Sequence, residues 1–295
     1  MYTVRPLTKI DALTAFLKPY QNSSMFLLGN AEQAGLKDHG EPLQGTYLGA
    51  YQQERLVGVL AHYWNGNIIL QAPKGLKALL DSLLDSQPTH SPRDVHGIIG
   101  PGAQVKQALQ YLRIPEARLR LNSLERLFHL PLHALKLPEA LPDSDVRRFR
   151  PEEIELFTAW KVDYNKEALN AKEDEALWKA CRTQARRQIL EEKNYWVLTL
   201  KNQPVACSGF NTRTQSHVQI GGVWTPPELR GNGYARRVVA GSLHQAIAEG
   251  ITDAVLFTGF ENAPAIRAYE VLGFQEVGDY AIALLQNNMK VPQKS

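Results

Sequence analysis

Two stretches of this sequence carry residue types that could do chemistry. In Arg230-Gly231-Asn232-Gly233-Tyr234-Ala235, two glycines and a small residue stand where a strand pattern ends and a helical pattern begins. N–H groups in the first turn of a helix have no partner inside it, and the aligned peptide dipoles add partial positive charge, so such a turn suits an anion. Glycine allows positive φ and lets a phosphate approach without meeting a Cβ. The pattern alone is equally compatible with a tight turn that binds nothing. It lacks the GK[ST] of a Walker loop, and Arg236 stands where a dinucleotide fingerprint needs a small residue. Gly221-Gly222 precede the turn and predict a bulge that splays this strand from the next, leaving a slot for an extended ligand. The second stretch runs from Asn262 to Tyr269: Asn262 suits a helix N-cap, Pro264 its first turn, and Ala265 and Tyr269 share one face.

The elements that must position these residues can be read around them. A strand is predicted at Asp145 to Arg150, then a helix opened by Pro151, then a helix from about Asp174 to Lys193 with Leu177, Cys181, Ala185 and Ile189 inward. YWVLTL, VACSGFNT and HVQIGGVW read as three antiparallel strands. The Gly-rich turn then feeds a helix to about Glu249, DAVLFTG forms a strand, Asn262 opens the last helix, and FQEVGDYAIALLQ returns as a strand. This order, βααβββαβαβ, predicts an α/β (α+β) domain with a mixed, mostly antiparallel sheet flanked by helices.

The N-terminal half repeats the order, with a strand near Tyr2, helices around Leu13 and Phe26, and strands at TYLGAY, RLVGVLAHY and NIILQA. A helix near Leu76, the strand GIIG and a helix after Gly102 follow. It has no Gly-rich turn between Gln71 and Lys77 and no tyrosine in a context like that of Tyr269, so a decayed copy without catalysis is expected. Pro131, Pro138 and Pro142 mark a linker. The expected division is therefore 1–130, a linker at 131–144, and 145–295, with NNMKVPQKS fraying at the end.

The chain has 295 residues, long enough for two cores, with 44% hydrophobic and 21% charged residues and a net charge of +3. Lys and Arg are scattered among Asp and Glu, which argues against a nucleic-acid partner. Cys181 and Cys207 cannot build a disulfide framework, the first residues do not read as a signal peptide, and no apolar run approaches the ~18 residues of a membrane span. A soluble cytoplasmic protein with no membrane partner is expected.

Arg230-x-x-Gly233-x-Ala235, joined to Asn262-x-x-Ala265-x-x-x-Tyr269-x-x-x-Gly273-Phe274, resembles the paired motifs of the GNAT superfamily of acetyl-CoA-dependent N-acetyltransferases. The resemblance covers about Asp145 to Gln286, and tandem members with a degenerate first copy exist. It implies acetyl-CoA (coenzyme A) as cosubstrate, no metal, and an amine acceptor that is a small molecule or a peptide, in a monomer or homodimer. Carried over by residue, Val223, Trp224 and Thr225 would pair their backbone with the pantetheine arm. Gly231, Asn232, Gly233, Tyr234, Ala235 and Arg236, beside Arg230, would hold the pyrophosphate. Asn262 and Ala265 would meet the pantetheine, and Tyr269 would protonate the departing thiolate.

The sequence departs from the family at Gln219, where many relatives place a glutamate base. His217, two residues earlier on the same face, could relay a proton or could be a strand-end residue with no role. Glu228 and Glu261 read as solvated or capping carboxylates. A backbone N–H near Val223 would serve the oxyanion. Lys161, Asp163, Glu167, Arg182, Arg186 and Arg187, on the helices expected to form the acceptor site, leave its charge preference open. Two other functions stay open: sensing of acyl-CoA without turnover, and aminoacyl transfer from charged tRNA as in some tandem relatives, against which the intact RGNGYA turn argues.

Overall fold

The computed structural model describes residues 1–85 and 93–290. The chain forms two compact units, Met1–Leu127 with Gly278–Ser295, and Phe128–Val277. The first contains β1 (Thr3–Pro6), α1 (Ile10–Leu17), α2 (Met25–Ala34), β2 (Gly45–Gln52), β3 (Arg55–Tyr63), β4 (Asn67–Gln71), α3 (Leu76–Leu84), β5 (Val95–Gly100), α4 (Gly102–Tyr111) and the first part of β6 (Leu119–Pro131). The second holds the rest of β6, then β7 (Ser144–Arg148), α5 (Ile154–Leu169), α6 (Glu175–Arg187), β8 (Tyr195–Leu200), β9 (Gln203–Arg213), β10 (His217–Trp224), α7 (Tyr234–Ala248), β11 (Asp253–Gly259) and α8 (Ala263–Leu272). β12 (Gln275–Met289) closes the described order.

Both halves therefore follow βααβββαβαβ; β4 with β5 and β10 with β11 pair parallel, whereas β1 to β4 in succession, β5 with β12, and β7 to β10 in succession pair antiparallel. The first unit orders its strands β1-β2-β3-β4-β5-β12, the second β7-β8-β9-β10-β11-β6. The units differ from the expected ranges because two strands are exchanged. Ala281–Leu284 of β12 pair with β5, and Ala281, Ala283 and Leu285 enter a core with Val95, Ile98 and Leu70. Phe128 and Leu130 of β6 enter the other core with Trp196, Val239 and Leu256.

The stretch expected to be a linker is packed where it begins. Leu132 is buried in the second unit's core and its N–H donates to the Thr252 carbonyl at 2.7 Å, while that of Lys136 donates to Leu272 at 3.0 Å. Phe128, Leu130 and Leu132 alternate inward with the period of a strand, a pattern that the nearby prolines mask. Asn287 to Met289, expected to fray, belong to β12, and the rest of that tail from 291 lies outside the described residues.

Candidate active site

The strand that feeds the Gly-rich turn does what its glycines predict. β10 pairs with β11 only from His217 to Gln219, although β11 continues to Gly259. Against β9 its register shifts between Gly221 and Trp224, and Gly222 sits at φ +58, so one extra residue bulges there. The thiol of Cys207 donates to the Gly222 carbonyl at 3.6 Å and fixes the bulge from behind. Parallel pairing ends as the bulge begins, so Gly221 to Trp224 leave their β11 side open to an extended ligand.

The turn itself is built around backbone. Gly231 and Gly233 take φ of +82 and +70, and α7 starts at Tyr234 with no side chain capping it. A Cβ on Gly231 would meet nothing within 4 Å, so that side of the turn is open. Asn232 ties the loop to itself through Leu229 and Arg230 carbonyls, and Arg237 donates to the Asn232 and Gly233 carbonyls. The donors left over fit a polyanionic chain: Trp224 Nε1, Thr225 Oγ1 and Arg236 Nε are buried with no hydrogen-bond partner among the described residues. Arg230 points elsewhere. Its guanidinium lies 4.9 Å over the Trp224 ring, donates to Thr225 O at 3.0 Å and pairs with Glu167 at 2.8 Å, which fastens the turn to α5.

α8 begins as predicted, with the Asn262 side chain accepting from the Ala265 N–H at 3.3 Å and Pro264 in the first turn. Its face carries Ala265 and Ile266 against the core, and Tyr269 is buried there with its ring edge-on to Phe274. Glu228 and Glu261 are exposed.

His217 is not part of this group. It starts β10, about 20 Å along the strand from Val223 at the usual rise per residue, and lies beside Asp253 and His129. Burial holds its imidazole below the ordinary histidine value, against the pull of Asp253. Gln219 is buried opposite Thr212, and its Nε2 has no hydrogen-bond partner among the described residues.

Behind the bulge stands a wall that the sequence did not announce. Tyr195 is buried between Gly209 and Gly222, where a Cβ on either would lie 2.4 Å from the ring or its hydroxyl. Lys161 of α5 is buried with its ammonium 5.2 Å from the Phe157 ring and 5.3 Å from that of Tyr195. Burial lowers its pKa to about 8, offset in part by Cys181, Cys207 and Glu192. Burial also pushes the Cys207 thiol up to about 12, which keeps it protonated and able to donate to Gly222. Asp163, Glu167, Arg182 and Arg186 are exposed. Arg182 pairs with Glu155 at 2.8 Å, and half-buried Arg187 with Glu192 at 2.8 Å.

Among the described residues the first unit lacks the same provisions. After β4 a single glycine, Gly75, caps α3, and a Cβ on it would strike Ala50. The Ala72 N–H, just past the end of β4, already donates to Gln104 Oε1 at 2.6 Å. The seventh residue of α8 is Tyr269, whereas the seventh of α4 is Ala108, fully buried.

Residues 154–274 match the model of the acetyltransferase (GNAT) family. The matched stretch holds the turn and Tyr269. Solved structures share the fold over nearly the whole chain. A GNAT-family acetyltransferase from Colwellia psychrerythraea is 18% identical with a TM-score of 0.55, covering 96% of this chain and 100% of that one. A Drosophila protein is 13% identical with a TM-score of 0.67, covering 96% and 99%. A tandem GNAT protein from the clavulanic acid biosynthesis pathway is 10% identical with a TM-score of 0.56, and both chains are covered fully. The fold is thus that of tandem GNAT proteins. A search of curated proteins found no match. Among the described residues no helix is long and apolar enough to cross a membrane.

Proposed function

We propose that the second unit transfers an acetyl group from acetyl-CoA to the amine of a small-molecule or peptide acceptor by direct attack. The observation that carries this is the conjunction of an uncapped α7 with the splayed, bulged end of β10, because together they offer N–H groups for a pyrophosphate and a free backbone edge for the arm behind it. Acetyl-CoA would supply an activated thioester. Amides from Gly231 to Arg236 hold its phosphates, the backbone of Val223 to Thr225 orients the arm, and an N–H at the bulge faces the oxygen on which charge develops. Tyr269 holds the proton for the leaving sulfur, in a core position that keeps its ring still.

No carboxylate base belongs to this reading. The Gln219 amide cannot take a proton at neutral pH, so the acceptor amine must arrive neutral or lose its proton to water. The same amide gives some weight to a second function, acyl-CoA binding without turnover. Thiol release measured with acetyl-CoA and a panel of amines separates the two. Turnover with at least one amine, reduced by Tyr269→Phe, is the expected result, and coenzyme binding without release under any amine would favour sensing.

A further inference from the structure

The geometry points to a divalent transition-metal site formed by His129, His217 and Asp253, at the end of the second unit's sheet away from the turn. The three residues come from three adjacent strands, β6, β10 and β11, and none has a part in the proposed acetyl transfer. One ligand atom from each lies within 4.8 Å of the other two. His129 Nε2 is 2.8 Å from Asp253 Oδ1, and His217 Nε2 is 3.8 Å from Asp253 Oδ2. Two ligands on a tetrahedral zinc, each about 2.1 Å from the ion, lie roughly 3.4 Å apart. The His–Asp distances bracket that spacing, and no pair, being within 4.8 Å, needs to close by more than about 1.4 Å, within the reach of imidazole rotation.

The surrounding residues complete the fit. Ser216 Oγ lies 2.9 Å from His217 Nδ1, which leaves Nε2 as the nitrogen turned to Asp253. Thr252 donates to Asp253 Oδ2 at 2.7 Å and orients the carboxylate. The side chains retain 22%, 14% and 23% of their exposure for His129, His217 and Asp253, so an ion can enter and water can fill the remaining coordination position. Two imidazoles and one carboxylate suit zinc, nickel or cobalt rather than calcium or magnesium, which take oxygen ligands. Such an ion would join three neighbouring strands and act as a clamp on the sheet. The family resemblance implied no metal, and the three ligands, 88 and 36 residues apart along the chain, form no short-spaced motif.

The test uses the untagged full chain, treated with a chelator and dialysed. Calorimetric titration with zinc should give one ion per chain. Cobalt(II) should give the visible absorption of a tetrahedral site, and zinc should raise the melting temperature. His129→Gln and His217→Gln should each weaken zinc at least tenfold, and Ser216→Ala should weaken it less. Asp253→Asn provides a further variant should either glutamine variant fail to fold. No zinc binding by the intact chain, or binding unchanged in all the folded ligand variants, would overturn the site.

Discussion

The Tyr195 hydroxyl lies so close to Gly222 that a Cβ on that glycine would stand 2.4 Å from it. The core residue and the bulge of β10 therefore fit only if position 222 has no side chain, and its φ of +58 asks for glycine again. Packing in the core thus sets the shape of the slot.

Gly222→Ala should combine overpacking with left-handed strain and destabilise the protein by about 3 kcal/mol. Urea denaturation followed by tryptophan fluorescence reads this. Gly231→Ala is the counterpart: with open space around its Cβ, only the strain of about 1 kcal/mol is expected there. Equal losses at the two sites would mean that Tyr195 yields easily.

Lys161 should make stability rise with pH. Its folded-state pKa, about 8, lies below that of an unfolded lysine, so the unfolded chain binds the extra proton between these values. The penalty is complete below pH 8 and fades as pH climbs to the ordinary lysine range. Lys161→Met should then gain up to about 3 kcal/mol at pH 7 and almost nothing at pH 10.5, by denaturation at both values. A gain independent of pH would show that the charge is not the cause.

Tyr269→Phe should lower turnover by about 10²-fold or more while changing stability by less than about 1 kcal/mol, since the ring stays in the core. Tyr269→Ala should cost about 3–5 kcal/mol through the cavity it leaves. Steady-state thiol release and thermal melts check both. Undiminished turnover in the phenylalanine variant would remove the proton from this residue.

The strand exchange is open to hydrogen–deuterium exchange. Ala283→Asp buries a charge in the first unit's core, so peptides from β4 and β5 should lose protection while those from β8 and β9 keep it. The reverse pattern would place β12 with the other core.

What was legible in the sequence was local. Gly231, Gly233 and the Asn262 cap announce themselves because φ and capping depend on a few neighbouring residues, and both helices begin where these residues predict. The exchange of β6 and β12 was not, since alternation tells which face of a strand is buried and not which sheet receives it. Lys161 read as one charge among several on a helix, and only the approach of Phe157 and Tyr195 shows it enclosed. His217 was placed on the face of Gln219, but strand length, which a face pattern does not weigh, sets it apart from the bulge. Arg237, one turn into α7, closes the Gly-rich turn from within; its distance of four residues from Gly233 was the available signal.

The central claim is that main-chain amides at the start of α7 grip the pyrophosphate of acetyl-CoA. Calorimetry with acetyl-CoA and with acetyl-pantetheine, which lacks the phosphates, tests it on the wild type and on Gly231→Ala. Acetyl-CoA should bind the wild type at least about 100-fold more tightly, and the substitution should erase most of that difference while leaving acetyl-pantetheine affinity as it was. Equal affinity for the two ligands, or a difference that survives Gly231→Ala intact, would contradict it.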